Sequence, residues 1–206
     1  VFPSAKYGLI RERLLEEGAA GPEDFVTPAP AGDEDLALAH DRLWIRRLQT
    51  GTLSYAEIAR LEIPYSRRMV RAFWLAAGGT MLACRLALRD RVAVNIGGGF
   101  HHAFRGHGEG FCAINDVAVG IRSLQRTGRI DRALVLDCDV HHGNGTAAIF
   151  AGDRKVFTIS LHQLNNYPHE KPPSVIDVHL PDETGDEEYL SHLRTHYVAA
   201  LTLHRP

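Results

Sequence analysis

A cluster of polar residues stands at the end of an apolar run, where Asp137, Asp139, His141 and His142 form the pattern D-x-D-x-H-H. If a strand continues through this run, alternate side chains share a face, and Asp137, Asp139 and His141 project together. Buried carboxylates are costly unless a positive group compensates them, and a metal ion that accepts aspartate oxygen and imidazole nitrogen does so. The alternative is that both aspartates cap the following turn and that both histidines are ordinary polar groups at a strand end.

A second pair of adjacent histidines, His101 and His102, follows the glycine run 97–99. Imidazoles titrate near neutral pH, so two of them in one site can carry protons in acid–base catalysis. A dinucleotide-binding loop is disfavoured, because no G-x-G-x-x-G opens a helix here and histidines stand where a phosphate would need the backbone. The two histidine motifs together favour metal-assisted acid–base chemistry.

The elements that position these motifs are predicted from hydrophobic periodicity, capping residues and glycines. The predicted strands cover 91–96, 133–140, 155–162 and 175–180, and the predicted helices cover 33–49, 66–89, 115–125 and 186–201. Gly78 and Gly79, inside the longest helix, indicate close backbone packing. Strands that alternate with helices indicate a parallel α/β sheet, whose ligands lie beyond the carboxyl ends of the strands. All the histidine-rich loops fall at that edge.

Composition argues against several classes of function. The 206 residues are 45% hydrophobic, which is enough for one core, so we expect a single domain over 1–206. With 23 basic and 25 acidic residues and a formal net charge of -2, no basic face is expected to bind nucleic acid directly. No apolar run approaches the roughly 20 residues of a membrane span and no signal-peptide order opens the chain, so we expect a cytoplasmic protein without membrane contact. The cysteines Cys84, Cys112 and Cys138 lack a C-x-x-C pair and are expected to be reduced and mostly buried.

Two long blocks of sequence carry a resemblance to a known family. GGGFHHAFRGHGEGFCAINDVAVG and VLDCDVHHGNGTAAIF resemble, in order and spacing, the double-histidine and metal-binding blocks of the zinc-dependent histone deacetylase superfamily. The outer segments FPSAKY, YSRRMVRAFWLAAGGT and ISLHQLNNYPHEKPPS extend the resemblance over nearly the whole chain and are most similar to class IV and related bacterial members. The resemblance implies the arginase/deacetylase fold, a three-layer parallel sheet with helices on both faces. It also implies a hydrolase that removes acyl groups from acyl-lysine or small acylated amines by metal-activated water.

Two ion sites are implied by the same resemblance. Asp139 and His141 are implied as two ligands of the catalytic ion, Zn²⁺ or Fe²⁺. A monovalent cation, K⁺ or Na⁺, is implied beside it, held partly through backbone carbonyls. Its implied ligands are Asp137, Asp139, His141, Ser160 and Leu161.

The adjacent histidines receive different tasks by this resemblance. His102 is implied as the general acid and base, and His101 as the group that stabilises charge in the transition state. Asp137 then bonds to His101 and Asn144 to His102, because a catalytic imidazole needs its other nitrogen held to fix tautomer and orientation. A carboxylate favours the protonated imidazole more than an amide does, so we expect His101 to be the more readily cationic.

The substrate tunnel is implied by residues whose alternative role is packing in the core. Gly110 and Phe111 match the family's tunnel wall, and Tyr167 stands where another aromatic residue forms the opposite wall. Four further polar residues carry no assignment and are interpreted as loop or strand-end groups: His107, His162, His169 and Glu109.

Two features of the family pattern do not occur in the 206 residues, namely a third metal aspartate and a Gly-Gly-Tyr loop that polarises the substrate carbonyl. Asp177, Asp182 and Asp186 follow the metal strand too closely to supply that aspartate. We therefore expect the sequence to belong to a longer protein, since a fragment with two protein ligands would hold zinc weakly and be nearly inert. Three hypotheses remain: a deacylase of acyl-lysine or small acylated amines, an acetylpolyamine or other small-molecule amidohydrolase, and a non-catalytic metal-binding or interaction protein.

Overall fold

The computed structural model describes residues 3–206, which form helices and one three-stranded sheet. In chain order the elements are α1 Lys6–Glu16, a 3-10 helix Pro22–Asp24, α2 Asp33–Leu36, α3 Arg42–Thr50, α4 Tyr55–Leu61, α5 Arg67–Asp90, α6 Asp116–Arg126, β1 Ala133–Asp137, α7 Asn144–Ile149, β2 Val156–Gln163, β3 Ile176–Leu180 and α8 Asp186–His204. Phe2 of the FPSAKY segment lies outside the described residues. None of the described helices is both long enough and apolar enough to cross a membrane.

The three strands lie side by side in chain order and all run parallel. Asp137 of β1 pairs with Ser160 of β2, which in turn pairs with Asp177 of β3. His162 pairs with His179 one step further along. The α/β class with a parallel sheet is therefore confirmed, and the carboxyl ends of all three strands meet at one edge.

The two faces of the sheet pack against different layers. One face packs against α8, which contributes Tyr189, Leu193 and Ala200. The opposite face begins apolar, with Val135 and Val156 packed in the larger core that includes α5 and α6. Side chains alternate between the two faces along each strand, and the residues of this face are polar towards the carboxyl ends. Its polar residues are Asp137, Thr158, Ser160, His162, Asp177 and His179.

The helices α5 and α6 each begin at a residue whose side chain caps the helix, Ser66 and Asn115. Ser66 Oγ accepts an amide of the first turn of α5 at 3.0 Å, and Asn115 Oδ1 does the same for α6 at 3.0 Å. Each cap satisfies an N–H that has no partner within its helix. A Cβ at Gly78 would overlap the backbone of Ala29. The close packing expected at this glycine is therefore confirmed.

The strand predicted over 91–96 is wrong. The chain leaves α5 through Arg91, whose φ is 74°, and Val92 and Val94 are 75% and 79% exposed. A strand needs a neighbour to bond its backbone groups, and no strand within residues 3–206 pairs with this run. Its β-branched composition is therefore not sufficient to make a strand.

Two other predicted boundaries are wrong. The strand predicted over 133–140 ends at Asp137, and residues 138–143 form a loop in which Cys138 is exposed rather than buried. The helix predicted over 33–49 is two helices, α2 and α3, with residues 37–41 between them. The break occurs because the Asp41 amide bonds to Arg105 O at 2.8 Å instead of to the preceding turn.

Candidate active site

The glycine loop before the adjacent histidines is held by Asp116, in the first turn of α6. This carboxylate is buried and accepts the Gly99 amide at 3.0 Å, the Phe100 amide at 2.7 Å and the Thr80 hydroxyl. Burial raises the pKa of Asp116, and the three donors offset part of that effect. The anchor fixes the backbone immediately before the histidine pair.

His101 and His102 are both buried, and their ring centroids lie 4.1 Å apart. His101 Nδ1 contacts Asp137 Oδ2 at 2.6 Å, and His102 Nδ1 contacts Asn144 Oδ1 at 2.8 Å. The structure thus brings together both pairs expected from the sequence. Because an amide oxygen can only accept, His102 carries its proton on Nδ1, and its Nε2 has a free lone pair.

The two rings differ in their preference for charge. Burial acts to lower the pKa of His101, but the hydrogen bond and charge of Asp137 outweigh it, and the pKa is raised. Burial and the charge of His101 lower the pKa of His102 to about 4. Burial acts to raise the pKa of Asp137, yet His101 holds it below the ordinary range. The arrangement therefore makes His101 the more readily cationic of the two rings and keeps His102 neutral at neutral pH.

Asp139 and His141 lie in a turn that the aspartates themselves build. Asp137 Oδ1 accepts the Asp139 amide at 3.0 Å, and Asp139 Oδ1 accepts the His141 amide at 2.8 Å. Asp139 Oδ1 also contacts His141 Nδ1 at 3.0 Å, and the two side chains are 50% and 38% exposed. Two ligand atoms at this separation can each form a bond of about 2.0–2.1 Å to one zinc ion. The His141 ring lies 5.9 Å from the His102 ring.

Gly110 and Phe111 form a two-residue turn between Glu109 and Cys112, which exchange backbone hydrogen bonds of 3.0 and 2.8 Å. Both turn residues have positive φ, 49° and 66°, as in a type I′ hairpin turn. Phenylalanine rarely adopts this region, so surrounding contacts must hold it there.

Tyr167 faces this turn and the histidines. A Cβ on Gly110 would lie 2.7 Å from Tyr167 Oη and 2.9 Å from His102 Cδ2, so glycine is required between them. The Tyr167 ring packs edge-on against His102 at 5.0 Å and His141 at 5.9 Å. An open cavity of about 800 Å³ adjoins these residues, and its wall includes Tyr167 and Glu109.

Glu109, interpreted above as a loop charge, bonds directly to the site. Its Oε1 accepts a hydrogen bond from Asn144 Nδ2 at 2.6 Å. A carboxylate can only accept, so this contact turns the Asn144 oxygen towards His102. The two residues are 35 positions apart. No local pattern in the sequence indicates this contact.

Ser160 and Leu161, the β2 residues expected to bind a monovalent cation, are buried next to β1. Ser160 pairs with Asp137, and the two β2 residues are 2% and 1% exposed. The residues expected to bind the cation therefore gather at the carboxyl edge of β1 and β2. Cation binding there stays a prediction.

Comparisons with known proteins show which family the chain belongs to. The histone deacetylase domain model matches residues 1–206. An uncharacterized protein from Picosynechococcus is 39% identical over 205 residues, which is 100% of this chain and 68% of that protein. Histone deacetylase 2 from Arabidopsis thaliana is 30% identical over 205 residues, covering 93% of this chain and 52% of that protein. The crystal structure of an HDAC homolog from Aquifex aeolicus matches with a TM-score of 0.77 at 29% identity, covering 89% of this chain and 55% of that one. The chain thus spans about half to two thirds of these relatives, and it belongs to the histone deacetylase family.

Proposed function

We propose that the protein is a zinc-dependent deacylase that hydrolyses the amide bond of acyl-lysine or of a small acylated amine. The observation that carries the proposal is the pair of adjacent buried histidines with unlike partners, one a carboxylate and one an amide. Membership of a deacetylase family supports an acylated substrate.

Asp139 and His141 would hold the metal ion. Their ligand atoms are 3.0 Å apart and the His141 ring lies 5.9 Å from the His102 ring, which supports this assignment. A bound zinc ion would supply polarisation of the acyl carbonyl and a water of lowered pKa.

The histidines would divide the remaining work. His102 is neutral and has a free Nε2, so it would take a proton from the attacking water and later return it to the departing amine. His101, kept cationic by Asp137, would stabilise the negative charge that develops on the carbonyl oxygen. Asn144 would hold His102 in the required tautomer.

A small cationic substrate, such as an acylated polyamine, is the second candidate. The cavity wall carries the acidic side chains Glu62, Glu109 and Glu170 against the basic Arg60 and Lys171. Lys171 Nζ donates to two backbone carbonyls at 2.8 and 2.6 Å, and Glu109 accepts the Asn144 N–H, so both charges are partly engaged. Glu62 and Glu170 then stand against Arg60. The net acidity of the wall favours a positively charged chain.

The test is an assay of the complete protein, purified and zinc-loaded, on an acetyl-lysine peptide and on a monoacetylated diamine, because a fragment with two protein ligands would hold zinc weakly. We expect turnover of at least one substrate, loss of turnover with a chelator and recovery with zinc. Glu170→Gln should raise KM for the diamine more than for the peptide if the acidic wall selects the substrate. A metal-loaded protein without turnover of either substrate would contradict the proposal and favour a non-catalytic metal-binding role.

A further inference from the structure

A second group of metal-ligand side chains lies on the polar face of the sheet, apart from the pair proposed for catalysis. His142 follows β1, His162 lies in β2 and Asp177 in β3. Both imidazoles are 0% exposed and their ring centroids lie 4.6 Å apart. One ligand atom from each of the three residues lies within 4.8 Å of the others. We propose that this group, together with His179, binds a second divalent metal ion.

The register of β2 and β3 brings three of the four proposed ligands together. Asp177 pairs with Ser160 and His179 pairs with His162, so these side chains project from one face of two neighbouring strands. His142 reaches the same face from the loop after β1. His162, which had no assignment in the sequence, thus has ligand-type neighbours on both sides.

The contacts within the group fit metal coordination. His142 Nε2 lies 3.1 Å from Asp177 Oδ1, and His162 Nε2 lies 2.9 Å from His179 Nδ1. Two ligands of a tetrahedral ion with bonds of about 2.0–2.1 Å are about 3.3 Å apart, so each pair is already near the required separation. Imidazole nitrogens with one carboxylate oxygen suit Zn²⁺, Co²⁺ or Ni²⁺. His179 is exposed, which gives the ion a path from solvent.

In two of the proposed ligands, His162 and Asp177, the polar atom on the other side of the group already has a hydrogen-bond partner. Ser160 Oγ contacts His162 Nδ1 at 3.0 Å, and Asp177 Oδ2 accepts the Ser174 amide at 2.9 Å. Outer partners of this kind orient metal-binding histidines and carboxylates.

The ion would tie together β2, β3 and the loop after β1. His142 directly follows His141, so the same ion would hold the loop that carries the proposed catalytic ligands. Its role would therefore be structural. Metal binding should raise the melting temperature even where catalysis is absent.

The experiment is a Co²⁺ titration of purified protein, followed by visible d–d absorption and by metal analysis after desalting. The background carries Asp139→Asn and His141→Gln, which remove the catalytic pair. It also carries His192→Gln, because His192 and His196 stack one turn apart on α8 and can chelate Co²⁺ at the surface. We expect this background to bind one equivalent of Co²⁺ and to melt at a higher temperature with the ion. His142 is left intact throughout.

The decisive variants are added to that background. Asp177→Asn keeps the side-chain shape and His162→Gln keeps a polar group, and both should lose the bound Co²⁺ and the rise in melting temperature. His179→Gln, at the exposed end, should weaken the affinity and keeps the test valid if a buried variant does not fold, as judged by circular dichroism. Absence of Co²⁺ binding in the background, or binding unchanged in the folded variants, would overturn the proposal. The catalytic pair is absent from every arm, so the outcome is independent of the deacylase assay.

Discussion

Replacing Asn144 with aspartate tests whether the chain His102–Asn144–Glu109 sets the charge of the proton-carrying imidazole. Asn144 offers an oxygen to His102 at 2.8 Å and an N–H to Glu109 at 2.6 Å. In Asn144→Asp that N–H is lost and the new carboxyl group lies against the Glu109 carboxylate. Because two like charges disfavour each other, the pair retains one proton, and His102 gains little negative charge beside it. In Asn144→Asp combined with Glu109→Gln, the glutamine donates instead and a full carboxylate faces His102.

The size of the effect follows from the environment of His102. Burial and the charge of His101 give His102 a pKa of about 4. A carboxylate in contact favours the protonated ring and raises the pKa by about 1–3 units, or about 1.4–4 kcal/mol. His101 shows the direction, because Asp137 raises its pKa despite burial. The double variant therefore loses its unprotonated base at a higher pH than the wild type.

The assay is the pH dependence of kcat/KM between about pH 3.5 and 9, so that the wild-type limb near the His102 pKa of about 4 falls within the range. We expect the acidic limb of the double variant to move to higher pH, with a smaller movement in Asn144→Asp alone. Glu109→Gln alone is the matched control, because it keeps an acceptor for the Asn144 amide and adds no charge. Zinc content should be equal in all four proteins. A double variant whose acidic limb coincides with that of the wild type would refute the argument and leave Asn144 as a turn residue.

Three further predictions follow from the same structure. His102→Ala should keep its zinc but lose about 10²-fold or more in turnover, and His101→Ala should lose less, because only His102 moves a proton; equal, small losses would contradict this division. Gly110→Ala should unfold at a lower urea concentration than Gly152→Ala and should also lose activity. Both glycines have positive φ, but only at Gly110 would the added Cβ approach another side chain, the Tyr167 hydroxyl at 2.7 Å. Equal stability and activity in the two variants would disprove the steric argument. Burial lowers the pKa of His40 to about 4, and both of its ring nitrogens bond to backbone groups at 2.9 Å. The unfolded chain therefore binds a proton at His40 more readily than the folded chain does, so about 3 kcal/mol of folding stability is present above about pH 6.5 and is lost as pH falls towards 4. The free energy of unfolding of His40→Gln, measured with urea, should therefore depend less steeply on pH in this range. An unchanged pH dependence would contradict the assignment.

Features with local causes are the ones the sequence predicts well. α5 and α6 follow from apolar periodicity and from the caps Ser66 and Asn115, whose side chains act within one turn. The adjacent histidines and the D-x-D-x-H-H motif are contiguous, so their common edge follows from the parallel sheet. The match to the histone deacetylase family is carried by the same contiguous blocks.

Features that depend on distant partners are the ones it misses. The run 91–96 has strand composition, but no strand within residues 3–206 pairs with it. The strand β1 stops at Asp137 because the side chains of Asp137 and Asp139 accept backbone amides of the following turn, in competition with a strand ladder. Glu109 is hydrogen-bonded to Asn144, and His142 to Asp177, and the residues of each pair are 35 positions apart. Such contacts depend on sheet register and loop geometry, which spacing along the chain does not reveal.

The most direct test of the zinc-dependent mechanism is zinc content measured together with deacylase turnover in the wild type, Asp139→Asn and His141→Ala. Each substitution removes one proposed ligand, so zinc occupancy of the catalytic site and turnover should fall together. Analysis in a background that also carries Asp177→Asn separates this site from the second metal group. The account predicts zinc in that background and its loss in both ligand variants, whereas full zinc content with undiminished turnover in those variants would contradict it.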